Sequence, residues 1–166
     1  PYAYAESNLS GTTVVLENCR RHQVGHLVMA SSSSVYGGRT QVPFRESDPV
    51  DHPVSFYAAT KRATEVMAHS YSHLFGLPVS ALRYFTVYGP WGRPDMAIWL
   101  FTEALLRHKP INVFAGGLLS RDFTFGDDAA DATVRVLAHP PARAGSPQSP
   151  DLQPAMAATA QAARPG

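Results

Sequence analysis

The sequence predicts an α/β fold built on a mainly parallel sheet with flanking helices. Segments with helical spacing of apolar residues alternate with short apolar runs, in the order helix, strand, helix, strand, helix, strand, helix. The connections between them are short, and such alternation is typical of a parallel sheet covered by helices. The apolar runs also suit strands that helices cover on both faces.

The first helix is predicted over residues 6–21, where Leu9, Leu16 and Cys19 recur at helical spacing before a basic last turn. The apolar run at 26–31 predicts a buried strand. It leads into a polar loop that contains four consecutive serines. A long helix follows, with Ser55 as its N-cap and Gly76 at its end.

The second half of the chain continues the alternation. Residues 79–85 predict a strand that leads into Tyr-Gly-Pro, and a third helix follows around Ile98 and Leu105. Residues 111–114 predict a short strand before two glycines. Asp127 and Asp128 open the last helix, because acidic residues stabilise a helix N-terminus.

The composition is that of one globular domain. The chain has 166 residues, 45% of them hydrophobic and 10% aromatic. Its 14 basic and 13 acidic residues give a net charge of +1, which predicts no nucleic-acid partner. No apolar stretch of about 18 residues occurs, which predicts no membrane span. The single cysteine, Cys19, excludes an internal disulfide and favours a reducing, cytoplasmic setting; we predict no metal site.

The two ends of the chain differ from its middle. The chain starts at Pro1 without a Met, which predicts a piece of a longer protein. Residues 139–166 consist mostly of Ala, Pro, Ser and Gln and contain no aromatic residue. Such a segment buries too little apolar area to offset its ordering entropy. We therefore predict a domain at 1–138 and a disordered Ala/Pro-rich tail at 139–166; a broken reading frame is the alternative origin of the tail.

Tyr57 and Lys61 are the first candidates for chemistry. They lie four residues apart on one predicted helix, so both side chains share a face. An ammonium beside a phenol stabilises the phenolate and lowers the tyrosine pKa from its usual value of about 10. Such a tyrosine can act as a general base near neutral pH. Taken alone, this pair could equally lie on a solvated helix face.

The serine loop before this helix makes the pattern more specific. Its hydroxyls follow the strand at 26–31, and sites in parallel sheets lie outside the carboxyl ends of the strands. A hydroxyl at that place can share a substrate hydroxyl with Tyr57. The combination of a hydroxyl loop at a strand end with Tyr-x-x-x-Lys on the next helix predicts an active site.

Four segments together resemble a known family: ASSSSVYG (30–37), YAATK (57–61), RYFTVYGP (83–90) and RDFT (121–124). The chain resembles the extended short-chain dehydrogenases/reductases, the NAD-dependent nucleotide-sugar epimerases and dehydratases. Within them, residues 51–61 and 89–97 are most similar to UDP-glucuronate 4-epimerases. The resemblance implies a partial Rossmann-like fold, with 1–138 as the C-terminal half of an NAD-binding domain plus part of a small substrate-binding region.

The resemblance also implies catalytic residues. Tyr57 would take the proton from the sugar 4-hydroxyl, Ser32 would bond the same hydroxyl, and Lys61 would bind the nicotinamide ribose and tune Tyr57. Hydride would pass from C4 to NAD and return to the other face of a 4-keto sugar. Tyr57 and Lys61 are therefore both catalytic and cofactor-binding candidates.

Three residues bear on the reaction and the substrate. Ser33 and Ser34 stand where related dehydratases and decarboxylases carry acids, so elimination and decarboxylation are disfavoured; Ser33 is a substrate-binding candidate. The resemblance implies that Thr86 and Arg93 hold the glucuronate carboxylate, and a guanidinium suits that group because it binds carboxylates in a two-pronged fork. The alternatives are a surface cation for Arg93 and plain strand propensity for Thr86.

Three further candidates rest on the resemblance. Arg121 would bind the UDP diphosphate, or else form a surface salt bridge with Asp122. Tyr84 would line the nicotinamide pocket, although aromatic residues at strand ends are often core. Asn8 would contact the cofactor side, or else cap a helix.

The Gly-rich dinucleotide turn of such proteins does not occur in this sequence. We therefore expect this chain alone to bind NAD poorly and to turn over no substrate. The predicted function is C4 epimerisation of a UDP-sugar, UDP-glucuronate above all. The resemblance alone implies a homodimer that packs through two long helices. The alternatives are a UDP-glucose/galactose 4-epimerase, a UDP-glucuronate decarboxylase, or a non-catalytic truncated remnant.

Overall fold

A computed structural model describes residues 1–118 and 120–143. The helices and strands are, in chain order, α1 (Tyr2–Tyr4), a π-helical section (Ala5–Ser10), α2 (Gly11–Arg21), β1 (Leu27–Ala30), a 3₁₀ helix (Ser33–Tyr36), α3 (Phe56–Phe75), β2 (Val79–Leu82), β3 (Thr86–Tyr88), α4 (Ala97–Leu106), a second 3₁₀ helix (Phe114–Gly117), β4 (Phe123–Phe125) and α5 (Gly126–Leu137). None of the helices in this described part is long and apolar enough to span a membrane.

The first helical segment starts earlier than the predicted residue 6. It begins at Tyr2 and passes through the π-helical section before α2 ends at Arg21. The apolar spacing that revealed the helix begins only at Leu9, and the first residues are exposed, with Tyr2 88% accessible. Because these residues bury little apolar surface, their helical state leaves no periodic signal in the sequence.

Helix α3 has the ends that its sequence predicts. The Ser55 hydroxyl accepts a hydrogen bond from the Ala58 backbone N–H at 3.1 Å, which caps the N-terminus. Gly76 adopts the left-handed conformation, with a φ of 65°, and its N–H donates to the Ser72 carbonyl. The buried face of α3 carries small residues, among them Thr60 at 2% exposure.

The described strands form two parallel pairs. β1 pairs with β2, with Leu27 opposite Val79 and Ala30 opposite Leu82. β3 pairs with β4, with Thr86 opposite Phe123. The predicted α/β fold with parallel strands is confirmed. Within the described ranges β1 pairs with β2 alone, so its other edge carries no strand.

Two of the predicted strands need correction. The predicted strand at 79–85 ends at Leu82, and β3 starts at Thr86 in the other sheet. Residues 111–113 form no strand, and 114–117 form a 3₁₀ helix. The partner of β3 is instead β4, which the pattern missed because three residues are too few to show alternation.

The described residues divide into two compact units. The first contains Pro1–Arg83 together with the described residues from Arg135 onward, and the second contains Tyr84–Val134. In the first unit, Leu16, Ala68 and Leu77 form a buried cluster, against which the half-buried Cys19 packs. The predicted tail at 139–166 lies outside the described residues beyond residue 143.

Gly37 is required by its surroundings, which gives a first testable prediction. It has a φ of 64°, and a Cβ built on it would lie 2.3 Å from the His52 carbonyl oxygen. Gly37→Ala should therefore lower the free energy of unfolding by about 2 kcal/mol or more. Chemical denaturation of the intact protein that carries this sequence measures this change.

The neighbouring glycine is the matched control. A Cβ on Gly38 would meet only Val54 Cγ1 at 3.8 Å, which is ordinary contact. Gly38→Ala should therefore leave stability within about 1 kcal/mol of the wild type, in either direction. Equal losses in the two variants would contradict the steric argument for Gly37.

Candidate active site

The serine loop at the carboxyl end of β1 is held by its own hydroxyls. Ser32 has an extended backbone and caps the 3₁₀ helix Ser33–Tyr36. Its Oγ accepts hydrogen bonds from the Ser34 backbone N–H at 3.2 Å and from the Ser34 Oγ at 2.9 Å. Ser33, half-buried, opens the 3₁₀ helix. The hydroxyl of Ser32 is therefore held in a fixed place at the strand end.

Lys61 connects the helix of Tyr57 to this strand end. Its Nζ lies 5.9 Å from the centre of the Tyr57 ring and donates a hydrogen bond to the Ala30 carbonyl at 2.9 Å. Burial lowers the pKa of the Lys61 ammonium. The Tyr4 ring lies 5.6 Å from the Tyr57 ring at an angle of 55°. The structure thus brings Tyr57 and Lys61 together. It also ties Lys61 to Ala30, which lies two residues before Ser32 in the chain.

Asn8 is tied to the same helix. It lies within the π-helical section, so the alternative that it caps a helix is wrong. Its Nδ2 donates to the buried Thr60 hydroxyl at 2.9 Å, and that hydroxyl donates to the Tyr57 carbonyl at 2.8 Å. Asn8 therefore supports the backbone at Tyr57. Its predicted contact with a cofactor stays a prediction.

A buried ionic cluster lies one helical turn beyond Lys61, and the sequence analysis missed it. The Glu65 side chain is 8% exposed and accepts hydrogen bonds from the Ser31 Oγ at 2.6 Å and from two nitrogens of Arg83 at 2.9 Å. Arg62 Nη1 donates to it at 3.2 Å. The signal in the sequence is the spacing, because position 65 shares a helix face with Lys61 and Tyr57.

Arg83 extends this cluster to the loop that follows the serines. Its Nη1 donates to the Glu46 carbonyl at 3.3 Å, and its guanidinium lies 5.0 Å from the centre of the Tyr36 ring. That ring stacks on Phe44 at 4.8 Å. The hydrogen bonds that Arg83 donates to Glu65 raise the Arg83 pKa above its ordinary value. Arg83 is therefore a fixed charge that joins β2, α3 and the loop.

The cluster gives a pH-dependence prediction. Burial alone would raise the Glu65 pKa, but hydrogen bonds from Arg83 and Ser31 outweigh it and lower the pKa below its usual 4.5. The stability that this shift contributes is therefore present above pH 4.5 and lost as the pH falls through the lowered value. Glu65→Gln should lower the free energy of unfolding by about 2 kcal/mol at neutral pH. The stability of this variant should also fall less steeply than that of the wild type as the pH becomes acidic.

Denaturation at a series of pH values measures this effect. Glu103→Gln is the control, because the Glu103–Arg107 pair is exposed on α4 and such pairs contribute little to stability. We expect the control to follow the wild-type pH curve. A Glu65→Gln curve parallel to that of the wild type would contradict the assigned pKa direction.

The second unit contains a cavity of about 600 Å³. Its wall comes from β3, the loop after it and helix α4, and includes Thr86, Arg93, Met96, Trp99 and Arg107. The predicted substrate residues Thr86 and Arg93 therefore line one cavity. The wall is mostly apolar, with a few polar groups, as in many small-molecule sites.

Arg93 is paired within its own loop. Its guanidinium donates to both carboxylate oxygens of Asp95, with Nε at 3.0 Å from Oδ1. The Arg93 hydrogen bonds lower the pKa of the Asp95 carboxyl. Both side chains are largely exposed, at 74% and 61%, so the pair contributes little energy and can open for another carboxylate.

The two remaining candidates lie elsewhere in the second unit. The Thr133 hydroxyl donates to the Ala129 carbonyl, so the Tyr84 hydroxyl donates to the Thr133 oxygen at 2.5 Å. Arg121 is exposed and donates to the Ser120 carbonyl at 2.8 Å, and it is not among the described residues that line the cavity. Their predicted contacts with cofactor and diphosphate stay predictions.

The donor set at Lys61 fits part of a nicotinamide dinucleotide. An ammonium has three N–H donors, and the Ala30 carbonyl takes one of them. The others suit the two hydroxyls of a ribose. The chain has no Gly-rich turn for the diphosphate. Among the described residues, no group of three or more His, Cys, Asp or Glu could hold a metal ion.

Comparison with known proteins identifies the family. Residues 1–147 match the profile of the NAD dependent epimerase/dehydratase family. The chain therefore belongs to the NAD-dependent epimerases/dehydratases, whose fold has the α/β arrangement and parallel strands described above.

Its relatives include several nucleotide-sugar 4-epimerases. A probable UDP-glucuronate 4-epimerase from Rhizobium meliloti is 47% identical over 141 residues, which are 85% of this chain and 41% of the relative. The structure of the Bacillus cereus UDP-glucuronic acid 4-epimerase with UDP-glucuronic acid and NAD is 36% identical, with a TM-score of 0.77 over 85% of this chain and 44% of that one.

A second solved structure has a different sugar. The UDP-glucose 4-epimerase from Thermotoga maritima, with UDP-glucose, is 30% identical and has a TM-score of 0.76 over 80% of this chain and 44% of that one. The chain thus spans less than half the length of each of these relatives. The family match at residues 1–147 includes the serine loop, the Tyr57 helix and the residues that line the cavity.

Proposed function

We propose that the protein carrying this chain is an NAD-dependent UDP-sugar 4-epimerase that converts UDP-glucuronate to UDP-galacturonate. The observation that carries the proposal is the link between the Tyr57 helix and the serine loop. Lys61 lies near the Tyr57 ring and bonds the Ala30 carbonyl. The Tyr57 phenol, the Lys61 ammonium and the Ser32 hydroxyl are therefore all carried by α3 and the end of β1, which this bond joins. This is the donor and acceptor set that oxidation of a secondary alcohol needs.

Each of these residues has a separate task. The Tyr57 oxygen takes the proton of the sugar 4-hydroxyl, and the Ser32 hydroxyl orients that hydroxyl toward it. The Lys61 ammonium stabilises the charge that develops on the Tyr57 oxygen and holds a ribose through its other donors. When bound, NAD would supply the acceptor for the hydride from the sugar C4 and would be the source of the hydride that returns.

Reversal of these proton transfers completes the reaction. Once the 4-keto sugar has turned, Tyr57 returns the proton to the oxygen at C4, which leaves the inverted alcohol. Positions 33 and 34 are serines, so neither offers a carboxyl group that could move a proton from C5 of the sugar or assist loss of CO₂. Inversion at C4 therefore has no competing acid-assisted step in the serine loop.

The cavity of the second unit supports glucuronate as the sugar. Arg93 offers a guanidinium fork and Thr86 a hydroxyl on the same wall. A sugar carboxylate can replace Asp95 as the partner of this fork, because the exposed pair is weak. A neutral hexose has no group that would do so. Arg121 is proposed to bind the diphosphate, and Asn8 and Tyr84 to support the cofactor side.

An activity assay on the intact protein tests the proposal. UDP-glucuronate is supplied with NAD, and NMR identifies the sugar product. We expect UDP-galacturonate. Turnover of UDP-galactose or formation of UDP-xylose instead would keep the family and reject the glucuronate assignment. No turnover of any UDP-sugar would reject the proposed activity.

A further inference from the structure

We infer that Glu65 is a positioning residue that fixes the Ser32 hydroxyl relative to Tyr57 and Lys61. The effect of this positioning on catalysis rests on the proposed function, which assigns catalytic roles to Ser32, Tyr57 and Lys61. Glu65 lies two helical turns after Tyr57 and one turn after Lys61, on the same face of α3. Glu65 contacts the serine loop through Ser31, the residue directly before Ser32.

The strand end is fastened to α3 at two consecutive residues. The Ala30 carbonyl accepts from Lys61 at 2.9 Å, and the Ser31 hydroxyl donates to Glu65 at 2.6 Å. Because these two bonds come from successive turns of one helix, they fix both the height and the direction of the chain as it enters Ser32. One side-chain bond alone would fix the strand end to α3 at a single point.

The carboxylate is itself fixed from the other side. Arg83, at the end of β2, holds both oxygens of Glu65 at 2.9 Å, and the Ser31 N–H donates to the Leu82 carbonyl at 2.7 Å. Ser31 is 4% exposed, so water competes little for its hydroxyl. The position of Ser32 is thus set by a closed path through β1, β2 and α3.

This path explains why a buried charge stands beside the site. A hydrogen bond to a charged acceptor is stronger than one between neutral groups, and it loses its strength quickly when the geometry changes. A carboxylate held by Arg83 therefore gives Ser31 a stiff anchor. Reaction rates respond steeply to such placement, because reacting groups must approach within a narrow range of distances.

Ser31→Ala in the intact, NAD-bound protein tests the inference. The variant removes the anchor but keeps the Glu65–Arg83 pair. We expect amide hydrogen exchange in residues 32–36 to rise about tenfold, because the loop opens more often. We also expect kcat for C4 epimerisation to fall about tenfold while KM stays within about twofold. Ser31→Cys, with a weaker donor of similar size, should fall between wild type and Ser31→Ala.

Arg62→Ala is the matched control, since Arg62 bonds the same carboxylate at 3.2 Å from outside the loop. This variant should leave amide hydrogen exchange in residues 32–36, and kcat for C4 epimerisation, at wild-type values. The inference is overturned if Ser31→Ala leaves either quantity unchanged in an active enzyme, or if Arg62→Ala reproduces its effects. If the wild type epimerises no UDP-sugar, the proposed function fails, and hydrogen exchange alone then decides whether Glu65 positions the loop.

Discussion

Tyr57→Phe lowers C4 epimerisation by about 10²- to 10⁴-fold, because it removes the proposed general base for the sugar hydroxyl. The ring itself remains, so its contacts with Tyr4 and the Lys61 ammonium persist. Binding of the UDP-sugar should therefore change little. Turnover measured by NMR and affinity measured by calorimetry separate the two effects.

Tyr71→Phe is the control on the same helix. Its hydroxyl lies 3.4 Å from Glu17, and its ring packs against the buried cluster around Leu16. Loss of that long bond should leave turnover within about twofold of the wild type. If Tyr57→Phe retains more than a tenth of the activity, another group takes the proton and the assigned base is wrong.

The second large effect on activity is expected for Arg93→Leu. It should lower kcat/KM for UDP-glucuronate about 100-fold, because two charge-assisted hydrogen bonds to the sugar carboxylate are lost. For a neutral UDP-hexose the same change should have little effect, since that sugar offers no carboxylate. The diagnostic result is the change in the ratio between the two substrates, measured by NMR of the products.

Arg107→Leu removes a guanidinium from the wall of the same cavity. Arg107 pairs with Glu103 at 2.9 Å on the exposed surface of α4. We expect this control to leave the substrate ratio unchanged. Equal losses for both sugars in Arg93→Leu, or strong turnover of UDP-galactose by the wild type, would reject glucuronate as the preferred substrate.

Features set by local chemistry were predictable from the sequence. Ser55 and Gly76 mark the ends of α3 because a cap hydroxyl and a left-handed glycine act within one turn. Tyr57 and Lys61 were found because helical spacing alone puts them on one face. Strand β1 was found because its four residues form an apolar run.

Features set by distant partners were not predictable. Tyr84 and Phe85 extend the apolar pattern beyond Arg83, yet the ladder ends at Leu82, where the partner strand ends at Ala30. Nothing near residue 111 shows that β3 pairs with residues 123–125 instead. Strand pairing depends on which segments meet in space, and single-sequence periodicity does not carry that information.

The site shows the same division. The serines, Tyr57 and Lys61 carry a recognisable spacing, but the Glu65–Arg83 pair joins residues 18 positions apart through the sheet. The π-helical turn at Asn8 is also invisible in the sequence, because it differs from an α-helix only in its hydrogen bonds. What the sequence missed was therefore the support beneath the reacting groups.

The Glu65–Arg83 pair also constrains how the protein can evolve. Both side chains are mostly buried, at 8% and 17% exposure. Loss of Glu65 removes the carboxylate that pairs with the mostly buried Arg83, and loss of Arg83 leaves Glu65 with the longer Arg62 pair. Joint replacement by apolar residues of similar size can instead be nearly neutral for stability. A sequence that lacks both charges can therefore be reached from this one only through a destabilised variant that has lost one of them. The pair is easier to inherit than to exchange, and a lineage would keep it even after the demand for catalysis had gone.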